Sequence, residues 1–588
     1  MVNSYFVHFH RSFPILHRPT FSLSAVPVSL LRVVVAIGSL YTASNLPLPE
    51  RQPILKEADE NWERSRKDLK SLVSKDPKEV RESSVTQAFV LLILYGIYRD
   101  SGSKFQKARS LFRTIIDSLR DLELFHQTLT AAPSEDPSWS TDLSPALSTS
   151  APALLHSKWT AYTRSESLKL SLYALVYLDT QGFAAACNTR PLLSPIELGW
   201  ELPHAAALWE ANDAGAWLAA LYGSAPDASG AAVSITTTTT RYAFLSSTGA
   251  TRTLALATQS LLSGSPCPHL VAALSASPFA ALCVAANVEA LVRDFTRCYY
   301  MMPPSLSDPS LFHILTQAQN KHVVAGLRAV GEARARAKGV GVGGAGAGGG
   351  GDGGATGATG GGATGSQIWR AVDLVLASAK AGLCAPDDLL IGGIVDNGVA
   401  AGLATSAHLT LGSYFASRRS TMQQQKDAMG GVVASSSSSE VNVAGSLSLL
   451  AELMPALEQV VVGQGPEEVC DEGPWVTVVM IRLLITIWKT VRHVVEHVRQ
   501  RSSDGSMAFD PAGVTLRAVT EAVERYIRLL VPDYEPDTGT DQESQEKDWG
   551  YHERSLLLLT VELCKRRSAW PVGPALATVF EEIMAAII

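Results

Sequence analysis

The spacing of apolar residues predicts helices along most of the chain. Near the N-terminus, aromatic and histidine side chains recur at i, i+3, i+4 and i+7: Phe6, Phe9, His10 and Phe13. This spacing places them on one face of a helix. Asn3 or Ser4 is the predicted cap of that helix, and Pro14 ends it.

Further helices are predicted over Ser84–Tyr98, Phe105–Leu124 and His156–Thr180. The second half of the last one, LKLSLYALVYLD, is apolar nearly all round, as a helix buried between others should be. Its predicted core residues are Trp159, Leu168, Leu172 and Leu175. Alternating strand patterns are scarce, so the sequence predicts an all-α fold: a large irregular helical domain, a disordered Gly-rich insertion and further C-terminal helices.

A glycine-rich tract divides the chain. Residues Gly339 to Gly365 consist largely of Gly, Ala and Thr, which cannot bury enough surface to offset the entropy of ordering the backbone. We therefore predict a helical domain over 1–335, a disordered linker over 336–366 and a helical region over 367–588. Two softer stretches, 127–153 and 223–252, are predicted loops.

Charge argues against nucleic-acid binding by this chain. Acidic residues outnumber basic ones, 56 to 49, which gives a formal net charge of −7. Phosphate neutralisation supplies most of the affinity for nucleic acid, so a binding surface is usually basic. Three short basic clusters occur, at Arg64–Lys67, Arg334–Lys338 and Lys565–Arg567. Each is diluted by acidic or small residues, and we interpret them as solvated helix faces.

The seven cysteines are scattered, and no two are closer than fifteen residues. A zinc finger or ribbon needs a closely spaced cysteine pair, so none lies in this chain. Scattered, odd-numbered cysteines also fit a reducing compartment. The most apolar stretch, Trp475 to Trp488, is interrupted by Arg482 and is shorter than the roughly 20 residues of a membrane span. We expect a buried helix and no membrane contact.

Two histidine groups could suggest a metal. His493 and His497 in HVVEH match a zinc-peptidase pattern, but no third ligand is marked, and we interpret both imidazoles as lying at a solvated helix end. On a helix His8 and His10 point about 200° apart, and His17 lies beyond Pro14. We therefore predict no metal, catalytic or cofactor residues in the chain.

The opening YFVHFHRSFPILHRPTF resembles the first segment of the fungal-specific transcription factor domain, also called the xylanolytic activator regulatory domain. The residues in the motif positions are Phe13, Pro14, His17, Pro19, Thr20 and Phe21. A Trp helix with Glu-Ser and an aliphatic run ending in Asp is similar to Trp159, Glu166, Ser167 and Asp179. A Leu-Pro and Leu-Trp-x-Ala segment with a further Trp resembles Leu202, Pro203, Trp209 and Trp217.

The resemblance is clearest over 1–217 and is most similar to members with C2H2 fingers upstream. Lys169 departs from the family pattern, where Arg is common. The resemblance implies a nuclear regulatory domain of an RNA polymerase II transcription factor that contacts transcriptional machinery or co-regulators and can form a homodimer. It implies that DNA and zinc are bound by a missing finger segment or a partner.

Two other functions stay open at the level of sequence. One is a helical co-regulator or interaction scaffold without a DNA-binding module. The other is a metallohydrolase that uses HVVEH. Finger spacing encoded upstream of Met1 would favour the transcription factor, whereas stoichiometric zinc on the chain would favour the hydrolase.

Overall fold

The computed structural model consists of helices and the loops that join them in the part of the chain that it describes. The described residues are 1–99, 102–126, 152–185, 189–222, 253–300, 317–342, 361–384, 398–411, 437–462, 469, 472–503, 511–535 and 550–587. Within these residues the only extended pairing is an isolated bridge between Glu201 and Thr253. The all-α prediction is therefore confirmed.

Ten helices precede residue 278. They are α1 Val2–Ser4, α2 Val28–Ser44, α3 Leu48–Lys75, α4 Ser83–Tyr98, α5 Gly102–Asp121, α6 Pro152–Tyr177, α7 Ala206–Trp209, α8 Ala214–Tyr222, α9 Leu254–Leu261 and α10 Pro268–Ala276. Two π-helical segments continue α1 and α6, over Tyr5–Phe9 and Leu178–Ala184. Two 3-10 turns cover Arg18–Thr20 and Pro77–Arg81.

Nine helices complete the described part of the chain. They are α11 Pro278–Tyr300, α12 Gln317–Val342, α13 Gly361–Cys384, α14 Val399–Leu411, α15 Ser437–Val462, α16 Pro474–Ser503, α17 Pro511–Leu530, α18 Gly550–Arg566 and α19 Val572–Ile587. Helices α12 and α13 extend into the two ends of the glycine-rich tract, which were predicted to be disordered. The residues between them, 343–360, lie outside the described residues, as do 127–151 of the first predicted loop and the whole of the second, 223–252. The loop predicted over 127–153 ends too late, because α6 begins at Pro152.

The first predicted helix forms, but its start was predicted wrongly. It begins at Val2, because the Met1 carbonyl accepts from the Tyr5 amide at 3.0 Å. Ser4 does not cap it, since its hydroxyl bonds to Thr42 at 3.0 Å. The helix then widens into a π turn, in which the His10 amide donates to the Tyr5 carbonyl at 2.9 Å.

The predicted core helix is confirmed. Helix α6 buries Trp159, Leu168, Leu172 and Leu175, the last two with no exposed surface. At its end, the Thr180 hydroxyl bonds back to the carbonyls of Val176 and Tyr177 inside the helix. Hydroxyl groups buried in this way satisfy themselves within the helix and allow an apolar environment around it.

The opening segment packs against the far end of the chain. The Phe13 ring lies 5.1 Å from Trp475, and the Phe9 ring lies 6.1 Å from both Trp475 and Trp570. The Trp570 indole donates to the Tyr41 hydroxyl at 3.0 Å. Residues on both sides of the predicted linker thus share one hydrophobic core. The division into 1–335, 336–366 and 367–588 stays a prediction.

Buried ion pairs fix the helices of the two parts against one another. Glu289 on α11, almost fully buried, accepts from Arg293 at 2.9 Å and from Arg482 on α16 at 3.3 Å. The Gln181 amide donates to the same carboxylate at 2.9 Å. Arg482, which interrupts the apolar run in the sequence, is therefore a partner of Glu289. Two further buried carboxylates, Glu472 and Glu553, are also paired with arginines.

Replacing Leu172 with Ala tests whether α6 is the centre of the N-terminal core. We expect a loss of roughly 2–5 kcal/mol in the free energy of unfolding, because the substitution leaves a cavity in a packed site. The matched control is Leu154→Ala on the same helix, where 42% of the side chain is exposed. That change should stay within about 0.5 kcal/mol. Equal midpoints for both variants in denaturant titrations would place α6 at the periphery.

Candidate functional site

The motif that opens the chain is an extended segment held by hydrogen bonds from its surroundings. The helical segment ends at Phe9 and not at Pro14 as predicted, so Phe13 lies beyond it. Further along, the Gln87 side-chain amide on α4 donates to the Ile15 carbonyl at 2.8 Å. The Pro-Thr pair of the motif starts a 3-10 turn, in which the Thr20 hydroxyl lies 2.9 Å from His17 Nδ1. These contacts hold the segment Phe13–Phe21, which we call the hook, and position the imidazole of His17.

His17 packs against two motif residues that are distant in sequence. Its ring lies 4.9 Å from Trp209 and 5.7 Å from Trp159, in edge-to-face geometry at both. Burial lowers the pKa of His17 to about 4, although backbone groups of Ala211 and Trp209 oppose the shift. His17 is therefore neutral near pH 7. It acts as an aromatic wedge between α6 and α7.

The other opening histidines also pack against aromatic rings. His8 stacks on Tyr41 with the ring centres 5.5 Å apart, and His10 contacts Phe6 edge-on at 5.3 Å. Burial lowers the pKa of His10 to about 3, and its Nδ1 has no hydrogen-bond partner among the described residues. The part of the chain that the structure describes contains no group of three or more His, Cys, Asp or Glu side chains suited to a metal ion.

A small aromatic cluster lies beside His17, separate from the main core. We call it the flap cluster; its buried members are Trp159, Tyr162, Leu208, Ala211, Trp217 and Leu221. The rings of Tyr162 and Trp217 lie 5.5 Å apart. Through these contacts α7 and α8 pack on the outer half of α6. Two of the Trp residues of the family motif, Trp159 and Trp217, therefore lie in one packed unit.

Next to this cluster is a group of four charged residues that we call the charge cluster: Glu166, Lys169, Glu201 and His204. Lys169 Nζ lies 2.7 Å from Glu166 Oε2. From the i, i+3 spacing we expect a local pair, which on the surface would matter little. The pair forms, but it does not lie on the surface. The Glu166 and Lys169 side chains are only 2% and 3% exposed, because α6 is covered here by the loop before α7. Glu166 Oε1 also accepts from the backbone amide of His204 at 2.9 Å.

Asp179, the last residue of the family motif on this helix, anchors an earlier part of the same loop. Its carboxylate accepts from the Leu193 backbone amide at 2.7 Å. Burial raises the pKa of Asp179 from 3.8 to about 7, against the opposing effect of the Leu193 and Leu192 amides. The same loop is held from outside by Arg120, whose Nε donates to Glu197 at 2.8 Å.

The HVVEH segment does not lie at a solvated helix end, so that interpretation is wrong. It occupies α16, where His493 is half-buried and His497 is 9% exposed. The neighbouring Arg492 is also buried, and its charge is compensated by Glu553 at 2.6 Å. Tertiary packing has covered a face that looks polar in the sequence.

Pro474–Arg499 of α16 is long and apolar enough to cross a membrane by length and composition. Most of its apolar stretch, 83%, is buried inside the protein. It packs against α13, α15, α17 and α18. These contacts are those of a central core helix, in agreement with the buried helix predicted here.

Sequence reasoning missed Glu201, His204 and the ion pairs centred on Glu289. A signal for Glu289 does exist, since a single carboxylate stands in the apolar run AALCVAANVEALV. A lone charge in such a run must find a partner when the helix is buried. No comparable signal marks Glu201 and His204, which lie in a loop.

Substituting Asp179 with Asn tests the buried carboxyl. Because its pKa is higher in the folded state, the folded protein holds a proton that the unfolded chain releases, and wild-type stability falls as pH rises from about 4 to about 7. Because Asn does not ionise, the free energy of unfolding of the variant should rise relative to that of wild type as pH rises across that window. Comparing the pH slopes of the two free energies removes any constant cost of replacing the carboxyl group by an amide.

The control for that experiment is Asp117→Asn, an exposed position on α5. Chemical denaturation at several pH values gives both slopes. If the Asp179 variant and wild type had parallel pH profiles between pH 4 and 7, Asp179 would not carry a buried proton.

Comparison with known families identifies the segment that holds these clusters. Residues 2–232 match the family model described as "Fungal specific transcription factor domain". The hook, the flap cluster, the charge cluster and Asp179 all fall within that range. Comparisons with curated proteins and with solved structures gave no significant match.

Proposed function

We propose that the chain, whose residues 2–232 match the fungal specific transcription factor domain, is the regulatory part of a fungal RNA polymerase II transcription factor. In this proposal it acts in the nucleus and controls transcription through contacts with the transcriptional machinery or co-regulators. The family match carries the proposal. The packing of the motif residues His17, Trp159, Trp209 and Trp217 around the first half of α6 supports it. The family is a regulatory domain and not an enzyme family.

We further propose that DNA contacts of the complete protein come from another segment or a partner. The basic clusters support this, because several of their charges are paired with carboxylates. Arg64 lies 3.0 Å from Glu60, and Arg66 lies 2.6 Å from Glu63. Arg334 pairs with Asp373, and Lys565 lies 3.0 Å from Glu581. Arginines held by carboxylates on the protein cannot also neutralise phosphates without breaking those pairs.

Tethering the chain to a promoter tests the regulatory role. Residues 1–588 fused to an unrelated DNA-binding domain should change transcription of a reporter that carries its site, relative to the DNA-binding domain alone. The change is expected because the chain recruits or blocks machinery by protein contacts. The Leu172→Ala variant should lose the effect in proportion to its loss of folded protein, whereas Leu154→Ala should keep it. If transcription of the reporter did not change although the fusion protein was folded and present in the nucleus, the proposal would be contradicted.

A binding measurement tests the dependence on another DNA-binding segment. At physiological salt, residues 1–588 alone should show no preference for any sequence in a randomised-DNA selection, because the chain is acidic overall and several charges of its short basic clusters are paired with carboxylates. Tight and selective binding would overturn this part of the proposal. The scaffold alternative is separated by translating the genome upstream of Met1, since a co-regulator would lack C-x-x-C and H-x-x-x-H spacing there.

A further inference from the structure

His204 has a carboxylate at each of its two ring nitrogens. Nδ1 lies 2.8 Å from Glu166 Oε2, and Nε2 lies 3.1 Å from Glu201 Oε1. A neutral imidazole has one N–H and one lone pair, whereas a carboxylate can only accept. One of these two contacts would therefore set lone pair against lone pair if His204 were neutral. Both become hydrogen bonds when the ring is an imidazolium.

The remaining neighbours of the ring agree with this assignment. Lys169 Nζ, at 3.3 Å, could donate to a neutral Nδ1, but the Glu166 oxygen is closer to that nitrogen. Tyr162 stacks on the ring at 5.8 Å. The charged groups that face His204 include Glu166 and Lys169 from α6 and Glu201 from its own loop. Within this group of four, the two carboxylates and one ammonium are balanced when the imidazole carries the second positive charge.

Electrostatics points in the same direction. Burial by itself would lower the pKa of His204, and the Lys169 ammonium would lower it further. The Glu166 charge and the hydrogen bonds to Glu166 and Glu201 outweigh both, so the pKa is raised above the ordinary value of 6.5.

The imidazolium holds a part of the chain that has its own small core. The loop at Glu201–His204 is bound to α6 through Glu166 and through Lys169 Nζ, which lies 3.5 Å from the Leu202 carbonyl. Of the buried residues in the helices that follow, α7 and α8, Trp209 belongs to the main core, whereas Leu208, Trp217 and Leu221 belong to the flap cluster on α6. A segment with few ties to the main core can open locally while the rest stays folded.

We propose that the charge cluster is a protonation-controlled clasp that keeps residues 201–222, the flap, closed on α6 while His204 is an imidazolium and releases them when it loses its proton. The direction follows from linkage. Because the folded pKa is raised, the stabilisation is complete below about 6.5 and is lost as pH rises through the folded pKa. The released flap would uncover the rings of Trp159 and Trp217, an aromatic surface that a closed flap keeps buried.

Hydrogen–deuterium exchange of the full chain between pH 5.5 and 8.5 tests the clasp. After correction for the intrinsic exchange rate, protection of the flap amides should fall as pH rises, by at most about tenfold per pH unit for one proton. Amides of α11 serve as the internal reference and should keep their protection. A flap protection that stays constant over this range, or falls in parallel with α11, would overturn the proposal.

Three variants make the test specific. His204→Gln should leave the flap weakly protected at every pH. Glu201→Gln, at a partly exposed carboxylate, removes one of the two contacts and should move the transition to lower pH in a chain that still folds. His156→Gln is the matched control, because His156 is exposed on α6 and its ring lies 5.5 Å from Trp159. A pH-dependent flap in His204→Gln, or an unmoved transition in Glu201→Gln, would each contradict the clasp.

Discussion

The fold depends on the burial of α16. This helix is apolar over a length that could cross a membrane, so most of its surface must be covered by protein. Much of the cover at its beginning comes from the start of the chain, where Phe9 and Phe13 contact Trp475. Gly473 has no room for a side chain, because an added Cβ would lie 2.2 Å from the Trp475 ring. The N-terminal and C-terminal helices thus contribute to one shared core.

Buried charges set the register of that packing. Arg482 on α16 contacts Glu289 on α11, and Arg567 contacts Glu472 at 2.9 Å. Moving ions out of water costs several kcal/mol each, so such pairs add little net stability. A displaced helix would leave one partner buried and unpaired, at a much higher cost. We interpret these pairs as devices that select one arrangement of apolar helices that could otherwise slide past one another.

The family motif describes a mechanical arrangement. His17 packs between Trp159 and Trp209. Glu166 holds the end of the loop before α7, and Asp179 holds an earlier part of the same loop. These contacts attach α7, α8 and the loop before them to one central helix.

The sequence by itself determined the helical class, the helices at Ser83–Tyr98 and α6, and the burial of Leu172 and Leu175. These follow from periodicity, which depends on near neighbours in the chain. The sequence also shows Arg482 as a charge that interrupts an apolar run. The tertiary structure alone decided that Glu166 and Lys169 are buried, that HVVEH is covered, and that His204 lies between two carboxylates. Those facts depend on which distant segments meet, since burial and partners are set by contacts between residues far apart in sequence, and no local pattern encodes them.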